Sequence, residues 1–175
     1  MGVLASYNKW YRDIQNVVLD AMQTLPYFCY LIPVLMFFGG NIVSAVIATV
    51  IYSVPPIIRL TALGLSQVSG GYSEVSKSFG GTGIQTLNKV KFPLAVPSLV
   101  MGFNQTVIMA FAMQIVTPLI GGKGLGLQVF NALQRSDTGR GLSAGLAIVL
   151  LAIIIDRITH AWTKKQRQAL GLDQS

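Results

Sequence analysis

The segment from Tyr72 to Pro93, YSEVSKSFGGTGIQTLNKVKFP, is a polar interruption between apolar stretches that are long enough to enter a membrane. Its first half predicts a short helix, with Glu74 in the opening turn, where a carboxylate suits the positive helix end. The Gly80-Gly81 pair closes that helix, as glycine does just beyond a helix C-terminus. Thr82 and Gln85 have capping-box spacing, which predicts the start of a second short helix. Two short helices joined by a glycine elbow are suited to contacting a partner outside the bilayer.

The composition around this segment is that of a membrane protein. The 175 residues are 52% hydrophobic and only 11% charged, with a mean hydropathy of +0.58, whereas soluble domains carry about 25% charged residues. The net charge of +7 could indicate nucleic acid, but the basic residues lie beside apolar runs, as membrane anchors do. We therefore expect an all-α, polytopic protein in a lipid bilayer, without a nucleic-acid partner.

Four apolar segments predict membrane spans at about residues 17–38, 42–60, 92–120 and 142–162. Spanning the hydrocarbon layer takes roughly 20 helical residues. Prolines are expected to bend two of these helices, because proline breaks the helical hydrogen-bond ladder: Pro26 and Pro33 in the first span, and Pro55-Pro56 near the end of the second. The polar loop between the second and third spans covers residues 66–91, and a glycine-rich connection runs from Gly121 to Gly141.

An even number of spans places both termini on one side of the membrane, together with the 66–91 loop. That side is expected to be cytoplasmic, because basic residues concentrate on the cytoplasmic side of membrane proteins. Ten of the 13 basic residues fall there: Lys9, Arg12, Arg59, Lys77, Lys89, Lys91, Arg157, Lys164, Lys165 and Arg167.

The central segment resembles the signature loop of the permease subunits of ATP-binding-cassette (ABC) importers. Glu74, Gly80 and Pro93 fall on the family pattern, whereas Val75 and Ser76 replace its two alanines. The resemblance implies that the segment is a cytoplasmic coupling helix that docks into an ATPase subunit; an ordinary solvated loop is the alternative. The residues implied in the contact are Ser73, Glu74, Val75, Ser76, Lys77, Phe79, Gly80 and Pro93.

Further runs are similar to the glycine betaine/proline class of these permeases: Asp20–Pro26, Tyr30–Pro33, Pro55–Thr61, Phe103–Thr106 and Asp156–Thr159. The resemblance implies one transmembrane domain over residues 1–175 with the type I ABC importer fold. That fold has a core of at least five spans, and four are seen here. We therefore expect that the helix before Asp20 is missing, and that the chain is a fragment or half of a split gene.

The resemblance also implies a function. The chain is expected to be the permease subunit of a bacterial importer that moves glycine betaine, proline or choline-like compatible solutes by alternating access. The implied partners are two ABC ATPase subunits, a second permease copy and an extracytoplasmic substrate-binding protein, in the cytoplasmic (inner) membrane. The alternatives are a stand-alone small channel or assembly protein without an ATPase, or a permease for another small solute such as an amino acid.

No catalytic or metal-binding constellation can be assembled from the sequence. The run Gly121–Gly126 lacks the Lys-Ser/Thr ending of a phosphate-binding loop. With one histidine, His160, and one cysteine, Cys29, neither a metal site nor a nucleophile-base pair is expected. The chain is thus predicted not to be an enzyme and to bind no cofactor, with ATP and magnesium held by the partner ATPase subunits.

Polar residues inside the apolar segments are the remaining candidates. They either line a translocation path or form hydrogen bonds between helices, which are individually weak, well under about 1 kcal/mol on average. Four lie in the third span: Asn104, Gln105, Thr106 and Gln114. Because a lone charge inside the membrane is costly, Asp156 is predicted to form an ion pair with Arg59.

Overall fold

The computed structural model describes residues 9–169, and within them every regular element is helical. The predicted all-α fold is confirmed. The helices are α1 (Lys9–Thr24), α2 (Phe28–Phe38), α3 (Ile42–Ser53), α4 (Pro55–Gln67), α5 (Gly70–Ser78), α6 (Gly83–Thr86), α7 (Phe92–Gln114), α8 (Leu125–Gln134) and α9 (Thr138–Ala169), with a π-helical turn at Leu87–Lys91 and a 3₁₀ turn at Thr117–Ile120.

Three continuous helical stretches of the described chain are long and apolar enough to cross a membrane: Ile42–Gln67, Gly83–Gln114 and Thr138–Lys165. The pair α1 and α2 passes the same test only when taken together, and its two halves are bent by 92°. By length and composition, residues 9–169 therefore hold three helices able to span a membrane, or four if the bent pair is a broken span.

The first predicted span is broken into two helices, a sharper change of direction than the bend predicted at its prolines. α1 ends at Thr24 and α2 begins at Phe28, so that Pro26 lies in the bend, while Pro33 stays inside α2. The residue before a proline is disfavoured in helical conformation, which explains why the helix stops just ahead of Pro26. The Tyr30 hydroxyl donates a hydrogen bond to the carbonyl of Met22 across the bend.

The second span begins as the sequence predicts and ends later. Asn41 caps α3, its Oδ1 accepting a hydrogen bond from the Ser44 backbone N–H at 3.0 Å. Val54 separates α3 from α4 immediately before the two prolines. The helix nevertheless continues to Gln67, beyond the expected end at Leu60.

Contacts between Cα atoms group the chain into two compact units, which we describe separately. Within the described residues, unit 1 comprises 9–19, 56–104 and 158–169, and unit 2 comprises 20–55 and 105–157. In unit 1, α4 and α7 approach closely at small residues. A Cβ on Gly64 would lie 2.5 Å from the Cβ of Ser98, and one on Gly102 would lie 3.1 Å from Ile57.

Unit 2 is built around a buried apolar cluster from α2, α3, the end of α7 and the 3₁₀ turn. Its members are Leu31, Val34, Ala45, Ala48, Met113 and Ile120. The turn at Gly121 (φ +91°) lies directly on the start of α3, since a Cβ there would be 2.7 Å from the Asn41 nitrogen. Buried apolar side chains and close glycine contacts together hold the helices of this unit in place.

The connection from Gly121 to Gly141 is more ordered than the sequence suggested. It contains α8, a helix of 10 residues, which glycine content and polarity concealed. Asp137 then caps the last helix, its Oδ1 accepting from the Arg140 N–H at 3.1 Å. As a result α9 begins at Thr138 and not near Leu142, and it runs through Ala169.

Candidate functional site

The candidate coupling segment starts with α5, a nine-residue helix. Ser69 is its N-cap, with the Ser69 Oγ 3.3 Å from the backbone nitrogen of Gly71. Glu74 is the fifth helical residue, and the first turn carries no acidic side chain. The prediction that Glu74 occupies the opening turn is therefore wrong: Ser69 and the two following glycines extend the helix by a turn. Glu74 is exposed and too far along the helix to stabilise its positive end.

The elbow after α5 has the geometry that the glycine pair predicted. Phe79 is the C-cap, and Gly80 adopts the left-handed conformation at φ +75°. The Gly80 N–H donates to the Lys77 carbonyl at 2.8 Å, and the Gly81 N–H donates to the Ser76 carbonyl at 2.9 Å. These two bonds form a Schellman motif, which satisfies carbonyls that a helix end leaves free.

The second helix starts where the sequence predicts but is not short. Both hydrogen bonds of the Thr82–Gln85 capping box are present. From Gly83 the helix then continues through the π-helical turn into α7, as one stretch of 32 residues ending at Gln114. In the π turn the Phe92 N–H donates to the Leu87 carbonyl, just before Pro93, which has no N–H to donate. The elbow thus leads straight into a membrane-spanning helix.

A pair of hydroxyls joins α5 to the start of that long helix. Ser76 Oγ lies 2.8 Å from Thr86 Oγ1, and the Thr86 hydroxyl is also 3.1 Å from the Thr82 carbonyl. Thr86 is only 4% exposed. A Cβ on Gly81 would lie 2.7 Å from the Ser76 carbonyl oxygen, so the elbow fits closely against this pair. Displacement of α5 would therefore act directly on the helix that begins at Gly83.

The outer face of the segment is apolar and open. Tyr72, Val75 and Phe79, at helical spacing, are 53%, 57% and 88% exposed, and Ile84 on the next helix is 74% exposed. No residue of α5 is buried. A surface cleft of about 560 Å³ lies among them, lined by Tyr72, Val75, Ser76, Phe79, Gly80, Gly81, Gln85, Lys89 and Val90. An exposed apolar surface of this kind is typical of a docking site.

The structure brings together half of the eight residues predicted for docking, and adds others. Val75, Ser76, Phe79 and Gly80 line the cleft, whereas Ser73 and Pro93 are half-buried outside it. Glu74 and Lys77 are exposed on α5. Sequence reasoning missed the aromatic and aliphatic contributors Tyr72 and Ile84. The three- and four-residue spacing of Tyr72, Val75 and Phe79 was the signal that could have revealed the first of these.

The four candidate path residues are not gathered in one cavity of either unit. Asn104, 8% exposed, lines a cavity of about 270 Å³ in unit 1 together with His160 and Lys164. Gln114 lines a separate groove in unit 2. Gln105 is exposed and Thr106 is half-buried. Their part in translocation stays a prediction.

The predicted Arg59–Asp156 ion pair also stays a prediction. Both side chains are half-buried, and they belong to different units. Across the described residues no group of three or more histidine, cysteine, aspartate or glutamate side chains is placed to hold a metal ion. The cytoplasmic placement of both termini involves residues 1–8 and 170–175, which lie outside the described part of the chain.

The chain matches the model of a known protein family along almost its whole length. Residues 1–168 match the family model of the binding-protein-dependent transport system inner membrane component. The chain belongs to this family. It also has the fold of a solved ABC transporter, the methionine transporter MetNI in inward-facing conformations, with a TM-score of 0.73 at 21% identity over 87% of this chain and 76% of that one. The predicted type I ABC importer fold is thereby confirmed.

Curated relatives are similar over nearly the whole of this chain. The glycine betaine/carnitine transport permease protein GbuB of Listeria monocytogenes is 43% identical over 95% of this chain and 59% of its own length. The glycine betaine/proline betaine transport system permease protein ProW of Escherichia coli is 45% identical over 95% of this chain and 47% of its own length. The chain thus spans about half of the length of the curated relatives it matches.

Proposed function

We propose that this chain is the permease subunit of an ABC importer for glycine betaine, proline betaine and related compatible solutes. Family membership and the type I fold support the permease role. The names of relatives at 43% and 45% identity support the class of cargo. The single observation that carries the proposal is the open apolar face of α5, held by a glycine elbow at the start of a membrane-spanning helix.

The proposed partners follow from that face. One ATPase subunit docks on the surface formed by Tyr72, Val75, Phe79 and Ile84, and a second ATPase docks on the same surface of a second permease copy. Burying large apolar side chains of this kind favours association by roughly 25 cal/mol per Å² of apolar area. ATP and magnesium are held by the ATPases, and this chain itself hydrolyses nothing.

The proposed mechanism is alternating access driven through the elbow. Closure of the ATPase pair on ATP moves α5, and the Ser76–Thr86 contact passes that motion to the helix running from Gly83 to Gln114. The spans then open outward to receive cargo from an extracytoplasmic binding protein. Hydrolysis returns them to the inward-facing state.

Co-purification and uptake test the proposal together. The chain, expressed with an ATPase and a binding protein of a betaine importer, should bring down the ATPase from detergent extracts. Proteoliposomes with ATP inside and the binding protein outside should show ATP-dependent uptake of labelled glycine betaine. A chain that inserts in the membrane and retains no ATPase would contradict the permease role and favour a stand-alone channel. If the chain binds an ATPase but the complex takes up an amino acid and no betaine, only the proposed class of cargo is contradicted.

The proposed orientation places the α5 segment and both termini in the cytoplasm of a bacterial cell. Single cysteines at Ser78 and Gln134, both exposed, test it in a background where Cys29 is replaced by serine. An impermeant thiol reagent should label Ser78→Cys only from the cytoplasmic face and Gln134→Cys only from outside. Labelling of both from one face would contradict the proposed arrangement of spans.

A further inference from the structure

A groove on unit 2 has the shape and charge of a site for a single lipid. It runs between α3 and α7 and has a volume of about 390 Å³. Two stripes at helical spacing form its walls: Ile42, Ala45, Val46, Thr49 and Val50 on α3, and Val107, Ala110, Phe111 and Gln114 on α7. We infer that it binds the acyl chain of an anionic phospholipid, with Lys123 holding the phosphate.

The two ends of the groove differ in chemistry. At one end lie Ile42, Gln114 and Thr117, together with Gly122 and Lys123; at the other lie Val50 and Val107. The first end is polar and carries a cation, and the second is mainly aliphatic, since the hydroxyl of its one polar residue, Thr49, donates to the Ala45 carbonyl of its own helix. An amphiphile with a negative head and a hydrocarbon tail matches this polarity along its whole length.

The position of Lys123 at the polar end is fixed by close backbone packing. A Cβ on Gly121 would lie 2.7 Å from the Asn41 nitrogen, and one on Gly122 would lie 2.6 Å from Thr117 Oγ1. Only glycine allows the loop to lie so close to α3 and the 3₁₀ turn. The exposed Lys123 ammonium is thereby held beside the groove mouth, where a phosphate would find it.

The two ends of the groove favour a lipid over a membrane span of a second copy. Eight helical residues separate Ile42 from Val50, so the groove is about 12 Å long. A negative headgroup beside Lys123 and an acyl chain along Val46 and Val50 match the groove over this length. An apolar span of a second copy would match the aliphatic walls and offer Lys123 no negative charge.

Native mass spectrometry of the full chain can test this assignment. The protein is reconstituted in bilayers of equal phosphatidylglycerol and phosphatidylcholine, extracted, and the ratio of the two bound lipids is measured. We expect retained phosphatidylglycerol in excess. Lys123→Gln should lower the ratio about fivefold, the effect expected of one lysine at an anionic surface. Arg135→Gln, which removes an exposed charge outside the groove, is the matched control and should leave the ratio unchanged.

Two further variants separate lipid from other occupants. Ala110→Phe fills the groove and should abolish retention of both lipids, while an excess of soluble glycerol phosphate should not displace them. In a Cys29→Ser background, Val46→Cys on the groove wall should form no more disulfide-linked dimer than Val43→Cys, which is exposed on α3 outside it.

Four outcomes would overturn the inference. They are an unchanged ratio in Lys123→Gln, retained lipid in a folded Ala110→Phe, full displacement by glycerol phosphate, or strong cross-linking confined to position 46. Displacement by glycerol phosphate would indicate a simple anion site. Cross-linking at position 46 would indicate a second copy of the chain.

Discussion

The α5 elbow and the core of unit 2 are held by different kinds of interaction. In α5 no side chain is buried, and its position depends on hydrogen bonds at helix ends and on the left-handed Gly80. In unit 2 the elements are fixed by buried apolar side chains and by glycines pressed against backbone. The first arrangement leaves a surface available to a partner, whereas the second uses its apolar surface internally. A docking element needs local rigidity without burial, and helix caps supply it.

The largest effect is expected from disturbing the packed region at Gly126. A Cβ at this position would lie 1.9 Å from the carbonyl oxygen of Gln114, so Gly126→Ala forces α8 away from the end of α7. Overpacking of this kind costs about 1–3 kcal/mol or more. The thermal unfolding midpoint in detergent should fall by several degrees. Gly145→Ala, in open space within α9, is the control and should leave the midpoint equal or higher; an equal midpoint for Gly126→Ala would contradict the close packing.

At the elbow, Gly80→Val should weaken docking of the ATPase while the amount of inserted permease stays near normal. A β-branched residue is strained by more than about 1 kcal/mol in the left-handed conformation, although a Cβ there meets no other atom within 4 Å. We expect α5 to tilt or fray, so that ATPase recovered per unit of inserted permease drops by about tenfold and uptake falls with it. The amount of inserted protein should stay near normal.

Gly83→Ala is the matched control for that variant. Gly83 opens α6 with no positive φ, and a Cβ there also meets nothing, so ATPase recovery should be unchanged. Normal recovery and uptake in Gly80→Val would show that α5 is only a connector.

A smaller effect should come from the hydroxyl pair that joins α5 to the long helix. Ser76→Ala and Thr86→Val each remove one side of a 2.8 Å contact, and one hydrogen bond contributes about 1 kcal/mol. Because the proposed mechanism passes motion through this pair, we expect ATP hydrolysed per betaine transported to rise about two- to fivefold. The double variant should be no worse than the more severe single one. Additive losses would show that the two hydroxyls act independently.

The smallest effect is expected for Glu74→Ala. The carboxylate is exposed in the second turn of α5, so its removal should leave the helix and the inserted protein unchanged. It should weaken ATPase association about two- to fivefold, and less at high salt, because a charge at the rim of an interface is screened. Glu74→Gln should behave like the alanine variant if charge matters; an unchanged affinity in both would exclude Glu74 from the interface.

Local signals predicted the elbow better than they predicted the helices around it. The glycine pair and the capping box each involve residues within five positions of one another, and each is confirmed. The position of Glu74 was wrong because a serine cap followed by two glycines looks more like a loop than a helix start. α8 was missed because the glycines just before it, Gly121, Gly122 and Gly124, make the connection look like a loop.

The sequence by itself determined the helical class, the membrane setting, the glycine elbow and the family, because hydropathy, capping and motif spacing are local properties of the chain. Tertiary structure alone decided that Pro26 turns the chain by 92° and that the helix begun at Thr82 continues to Gln114. It also decided which glycines lie against backbone, and that Lys123 is held at the mouth of an apolar groove. The glycine contacts and the groove depend on residues far apart in sequence, whose geometry is set by the packing of whole helices.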